Sequence, residues 1–385
     1  MLMQYSTYKD ELFAEIKSKK MDEFCEEFGL DGMEVFMDDV LPRDQDLYNH
    51  KEWIIHKLSI LNVKRIHCSY WAYPTSFLTK NNFNELVDRF GSCEKVVDYY
   101  GDLTGHYMFK RWAQEYEIAT ELKAQSYIFH LIDYAPIDGK WEYTISKANI
   151  RQAMIYMIQQ FLNYLMDRNQ LTEDSPSIEV ENAGWGLEHG LQTVEDYKLM
   201  YSQLYDPFQK VKIGWDINHL LHALGYDEQK KSAQFFLPDS EISVQMVEMQ
   251  QMYGNEPKVL AVKWLEHNIF DSELVKRIGC LHLSDCALKT KEFFRNGKLT
   301  GRYYDEIIKL DSWDKQENYG VDIVLSSYDS HLPLGDGTLE PASIKAMILK
   351  LYEKNPDFAI LHELKNNKNQ TEVLTKQLLR LNLKG

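Results

Sequence analysis

Imidazole and carboxylate side chains stand at the ends of short β-rich runs along much of the chain. They are His67, His130, Glu181, Asp216 with His219 one turn on, His282 with Asp285, the Asp329-Ser330-His331 triplet, and Glu363. Imidazole and carboxylate suit zinc, manganese and related divalent ions, and residues drawn from separate runs onto one pocket make a polynuclear metal site. The competing reading is a buried network of hydrogen-bonded histidines and acids. It has to satisfy many desolvated charges without a cation, which is costly. Other histidines fall outside the pattern: His50, His56, His106, His267 and His362 read as surface or satisfied core residues, and His222, at i+3 from His219, reads as packing.

Eight β-rich runs have to carry these groups: Met3 to Thr7, Met33 to Met37, Val63 to Tyr70, Ser126 to Leu131, Ser177 to Glu181, Val211 to Asp216, Ile278 to Ser284 and Phe358 to Glu363. Helical stretches separate them, such as Asn149 to Asp167 with its stripe of Ile150, Met154, Met157, Ile158, Phe161 and Leu165. Strand alternating with helix predicts an α/β chain, a (β/α)8 TIM barrel. Side chains in a strand point alternately to opposite faces, so Ile178 and Val180 oppose Glu179 and Glu181, and Leu281 and Leu283 oppose Cys280, His282 and Ser284. By the same count Trp215 faces away from Asp216. Each run thus has an apolar face for helices and a polar residue turned inward at its C-terminal end, where such barrels keep their active sites.

The 385 residues exceed a minimal barrel of ~250. Residues 1–385 are expected to form a single barrel domain, with insertions in the βα loops at about 74–117, 227–276 and 286–327 lying over the catalytic face. The chain has 43 basic and 59 acidic side chains, a net charge of −16, and no basic run longer than a pair. That balance disfavours wholesale nucleic-acid binding. No stretch approaches the ~18 apolar residues of a membrane span, and Lys9, Asp10 and Glu11 stand where a signal peptide would be apolar. Five cysteines without a CxxC pair suit reduced thiols, and a cytoplasmic location is expected.

Seven segments together carry a family resemblance: HCSY at His67, FH at His130, VENAGWG at Val180, WDINHLLHALGYD at Trp215, HLSD at His282, DSHLPLGDG at Asp329 and HE at His362. In this order they resemble the xylose-isomerase-like barrel superfamily (AP endonuclease family 2), and within it the zinc-dependent apurinic/apyrimidinic endonucleases called endonuclease IV. The resemblance covers strand ends over most of the chain; the insertions and the first strand have no counterpart.

The resemblance implies a trinuclear cluster. Glu181 would bridge two ions, one also held by His67 and His130, the other by Asp216, His282 and Glu363. The third would take His219, Asp329 and His331. Zinc, up to three ions, is the implied cofactor, with manganese the alternative, and the implied reaction is hydrolysis of a phosphoester. Tyr70 resembles an aromatic that this family inserts into DNA. Departures are the GMEVF run, whose inward Glu34 looks more like the sugar isomerases and epimerases of the superfamily, and the lack of an arginine for the DNA stack, Arg43 being the nearest.

The alternative is therefore a metal-dependent isomerase or epimerase of a sugar or sugar phosphate, in which Glu181 and Glu363 remove and return a proton beside a carbonyl. Trp71 and Trp185, near strand ends, are candidate lid or stacking residues, and Glu34 and Asp285 join them as candidate substrate contacts. A non-catalytic ligand-binding barrel is the third reading. The partner in each enzyme reading is a small sugar or phosphoester, with DNA disfavoured by the acidic charge.

Overall fold

Eight parallel strands close into a barrel in the computed structural model, which describes residues 2–7, 21–41, 47–69, 87, 91–94, 106–130, 135–137, 140–142, 147–184, 190–227, 229–235, 242–290, 294–295, 298–299, 330–364 and 370–382. In chain order the strands are β1 (Leu2–Thr7), β2 (Gly32–Phe36), β3 (Val63–His67), β4 (Ser126–His130), β5 (Ser177–Glu181), β6 (Val211–Asp216), β7 (Ile278–Leu283) and β8 (Ala359–His362). Each pairs in parallel with its neighbours in sequence, and β1 pairs with β8 to close the ring.

Among the described residues the barrel helices, one after each strand, are α1 (Met21–Phe28), α2 (Leu47–Leu58), α3 (His106–Glu121), α4 (Lys147–Met166), α5 (Val194–Gln203), α6 (Pro257–Ile269), α7 (Pro341–Lys354) and α8 (Gln370–Leu381). From α2 to α8 each packs on the next. A parallel pair needs a crossover of this kind, and the right-handed crossover lays the helices on the outer face.

Strand parity makes two cores. The outward residues, among them Val35, Ile66, Tyr127, Phe129, Val180, Ile213, Leu281 and Ile360, join the helices in one large buried cluster. Trp215 faces outward as expected, fully buried with its ring 4.8 Å from that of Tyr197 on α5. Inside the barrel a small separate apolar cluster of Ile128, Cys280 and Ala359 plugs the interior. Beside it lies a buried ion pair: Arg65 Nε donates to Glu179 Oε2 at 2.9 Å and Nη2 to Oε1 at 3.0 Å. The register of β7 against β6 shifts between Ile278 and Cys280. A Cβ on Gly279, at that shift, would stand 2.5 Å from Glu179 Oε1, so glycine leaves the space the carboxylate fills.

Two of the stretches expected to lie over the catalytic face contain barrel helices instead. Residues 106–117 begin α3, and 257–269 form α6. In α3, Met108, Trp112, Ala113, Tyr116 and Ala119 bury one face, and the expected boundary at 117 cut through that stripe. The excess over a minimal barrel is thus smaller than expected. It includes a three-stranded sheet of Leu224–Asp227, Ser232–Phe235 and Lys289–Thr290, a helix Val244–Tyr253, and two short antiparallel pairs, Ala135–Ile137 with Lys140–Glu142 and Phe294–Arg295 with Lys298–Leu299. The remainder of 74–117 and 286–327 lies largely outside the described residues. No described helix is long and apolar enough to cross a membrane.

Candidate metal centre

Six of the eight strands deliver a residue at or beside their C-terminal ends to one spot, because all the strands run the same way. His67, His130 and Glu181 form one group; Asp216, His219 and His331 form a second; Glu181, Asp216, His282 and Glu363 form a third. Within each, the ligand atoms lie within 4.8 Å of one another. Glu181 belongs to two groups and Asp216 to two, so the three are contiguous. All eight residues are buried. Glu181 Oε2 lies 3.4 Å from His67 Nε2 and 3.7 Å from His130 Nδ1, while its Oε1 lies 3.5 Å from His282 Nδ1 and 3.7 Å from His219 Nδ1. His282 Nδ1 also meets Glu363 Oε2 at 2.8 Å.

Local hydrogen bonds orient these side chains. Asp216 is the N-cap of the turn Ile217–Leu221: its Oδ1 accepts from the backbone N–H of Asn218 at 2.6 Å and of His219 at 3.2 Å. The turn brings His219 back over Asp216, with Nε2 3.5 Å from Oδ2. His219 Nδ1 and His67 Nδ1 each donate to a backbone carbonyl, Asn182 O at 2.8 Å and Cys68 O at 2.9 Å. Such bonds fix the tautomer and leave Nε2 as a lone pair, the usual arrangement at a metal-ligating histidine. Asn182 also clamps β5 to β6, accepting Asp216 N–H at 2.6 Å and donating to Asp216 O at 3.1 Å. Sequence reasoning missed Asn182, although it stands immediately after Glu181 in the VENAGWG segment.

The donor set fits a divalent cation. Asp216 Oδ2 is buried with no hydrogen-bond partner among the described residues, yet faces His219 Nε2 and, at 4.0 Å, His331 Nε2. A carboxylate oxygen ringed by imidazole nitrogens is what a positive charge among them would satisfy. Burial, with the neighbouring His67 and His219, pushes His282 well below the usual histidine range, so its ring is neutral and able to ligate.

Eight of the nine expected ligands are together. Asp329 lies outside the described residues, as do Tyr70, Trp71 and Trp185. Two expected substrate contacts are elsewhere. Glu34 is fully buried and pairs in register with Arg65, one layer below His67; its Oε2 is 3.9 Å from His282 Nε2. Burial pushes its carboxyl up to about 8, with His67 lowering it and Glu181 raising it. Asp285 turns out of the barrel, and its oxygens accept four backbone N–H groups, from Gly335, Gly337, Thr338 and Leu339. Its lone pairs are spent on that loop, not on a substrate. His222 is buried and bonds Asn218 Oδ1 at 2.8 Å, a packing role as expected. His362 is fully buried on the outward face, its Nδ1 3.1 Å from Gln377 Nε2.

No protein-family model and no curated protein matches the chain. Among solved structures, a D-tagatose 3-epimerase-like protein aligns with 100% of this chain and 99% of its own, at 13% identity and a TM-score of 0.50. Endonuclease IV from Thermus thermophilus aligns with 99% of this chain and 98% of its own, at 11% identity and a TM-score of 0.48. The probable 3-DHS dehydratase AsbF from Bacillus anthracis aligns over 100% of both chains, at 13% identity and a TM-score of 0.47. Identity this low bears on fold alone. With its closed ring of eight parallel strands and its likeness to the epimerase-like protein, the chain has the (β/α)8 TIM-barrel fold.

Proposed function

We propose that the protein is a divalent-metal-dependent enzyme that hydrolyses phosphoesters on a cluster of up to three ions. The observation that supports this most is the sharing of Glu181 and Asp216 among the three ligand groups. One ion needs only one group; three contiguous groups suit a charge-dense reaction in which both the attacking and the leaving oxygen need stabilising. Zinc fits the preponderance of histidine, and manganese is the alternative.

Ions held there would supply Lewis-acid polarisation of a phosphoryl oxygen and a lowered pKa for water. The chain's residues do the rest. Glu181 spans two groups through its two oxygens, Asp216 keeps Oδ2 for the cluster while Oδ1 caps the turn, and Asn182 and Cys68 hold His219 and His67 by their carbonyls. Burial of all eight side chains keeps bulk water from competing for the ligands and strengthens every charge interaction at the site. The Asp216–His219–His331 group carries the choice between chemistries. A sugar isomerase or epimerase working through Glu181 and Glu363 needs only Glu181, Asp216, His282 and Glu363, and has no evident use for His219 and His331.

The assay is turnover by the zinc- or manganese-loaded protein of a small phosphodiester and of a duplex with an abasic site, against a panel of ketoses and their phosphates. Phosphodiester cleavage that is lost on chelation and returns with metal is the expected result. Epimerisation of a ketose with both phosphodiesters left intact would establish the isomerase reading instead. The −16 net charge makes the small phosphodiester the better substrate of the two at low salt.

A further inference from the structure

We propose that two consecutive residues, Ser284 and Asp285, position His331 and so set the affinity of the Asp216–His219–His331 group for its ion, apart from the other two groups. This rests on the multinuclear reading above and adds a role for residues that belong to none of the three groups. His331 is not on a barrel strand; it enters the site from the loop before α7. Something must hold that loop, and the structure assigns the task to the end of β7.

Asp285 gathers the loop around one buried carboxylate. Its Oδ2 accepts from Gly335 N–H at 2.9 Å and Gly337 N–H at 3.0 Å, and its Oδ1 from Thr338 N–H at 2.9 Å and Leu339 N–H at 3.0 Å. Its own backbone bridges Leu332, the residue next to His331, in both directions at 2.7 and 2.8 Å. The loop closes so tightly that a Cβ on Gly337 would stand 2.6 Å from Asp285 Oδ1 and 2.5 Å from the Cys286 carbonyl. Gln377 ties the same parts from the other side, accepting Leu334 N–H at 2.9 Å and donating to Leu283 O at 2.8 Å. His331 itself has φ +40°, left-handed backbone that a non-glycine residue holds only when its surroundings impose it.

Ser284 then sets the ring. Its Oγ lies 3.0 Å from His331 Nδ1; with the hydroxyl oxygen as acceptor, the ring carries its proton on Nδ1 and turns the Nε2 lone pair to Asp216 Oδ2. Asp285 fixes where the ring is, and Ser284 fixes which nitrogen it offers.

The test is stepwise titration of the metal-free full chain with Zn2+ and, separately, Co2+, in wild type, Ser284→Ala and Asp285→Asn. Stoichiometry comes from elemental analysis, affinities from chelator competition, and fold from far-UV circular dichroism. Wild type is expected to take three ions. Each variant is expected to keep two at wild-type affinity and to bind the third 10- to 100-fold more weakly, on the order of what an orienting partner contributes. An unchanged third affinity in both variants overturns the proposal. So does a parallel loss of all three ions, which would mean a general structural role. Wild type binding fewer than three ions removes the multinuclear reading and this inference together, and is seen before any substitution is made. Ser284→Ala leaves the Asp285 clamp untouched, so it decides the matter alone if Asp285→Asn does not fold.

Discussion

At the residue scale the proposed centre is destabilising in the metal-free protein and would be stabilised by a bound cation. Glu181, Asp216 and Glu363 bring three carboxylates within 4.8 Å of a buried, neutral His282. Like charges so close in a low-dielectric interior repel unless a cation lies among them. Glu181→Gln is therefore expected to raise the stability of the metal-free protein by about 1 kcal/mol while lowering that of the metal-loaded protein and abolishing turnover. Thermal melts of both forms check it; a variant less stable than wild type without metal would mean that Glu181 is a satisfied structural acid. Residue type alone made Asp285 look like a substrate ligand. Strand parity, readable in the sequence, sets it opposite His282 and already argues against that role. For Glu34 parity correctly indicates the interior, but its depth depends on stagger, since it pairs with Arg65 and not with His67, and stagger is not written in one strand's residues.

At the element scale the strands need a filled interior to hold their ends in place. Arg65 and Glu179 stand two residues before His67 and Glu181 on their strands and lock those strands together across β4. Removing one partner leaves the other charged and buried. Arg65→Met is expected to destabilise the barrel by about 3–5 kcal/mol, whereas Arg65→Met with Glu179→Leu should recover most of the loss. Denaturant midpoints of the single and double variants measure this. Equal destabilisation by both would locate the cost in packing and not in the orphaned charge. Both residues lie in sequence runs whose period of two was plain. Their pairing across 114 positions was not, because it depends on ring closure and on the space left at Gly279.

At the scale of the whole molecule, all eight strands lie within a few residues of the β-rich runs that announced them, and eight of the nine expected ligands converge. Parallel strands made this legible: once all run one way, the polar residue ending each must meet the others. The helices over 106–121 and 257–269 were hidden by the length of their loops, which read as insertions. Since the proposed ligands come from six strands or their adjoining segments and from one further loop, ion binding at the proposed centre would couple to the stability of the entire ring. Chelation is expected to lower the melting temperature and re-addition of zinc to restore it, by RT ln(1 + [metal]/Kd); a melting temperature indifferent to chelator would separate these side chains from any bound ion. The most direct test of the central claim is elemental analysis of the folded, zinc-equilibrated chain beside His331→Ala. Three ions per chain are expected in wild type and two in the variant, one fewer for the loss of the Asp216–His219–His331 group. A single ion in both proteins would contradict it.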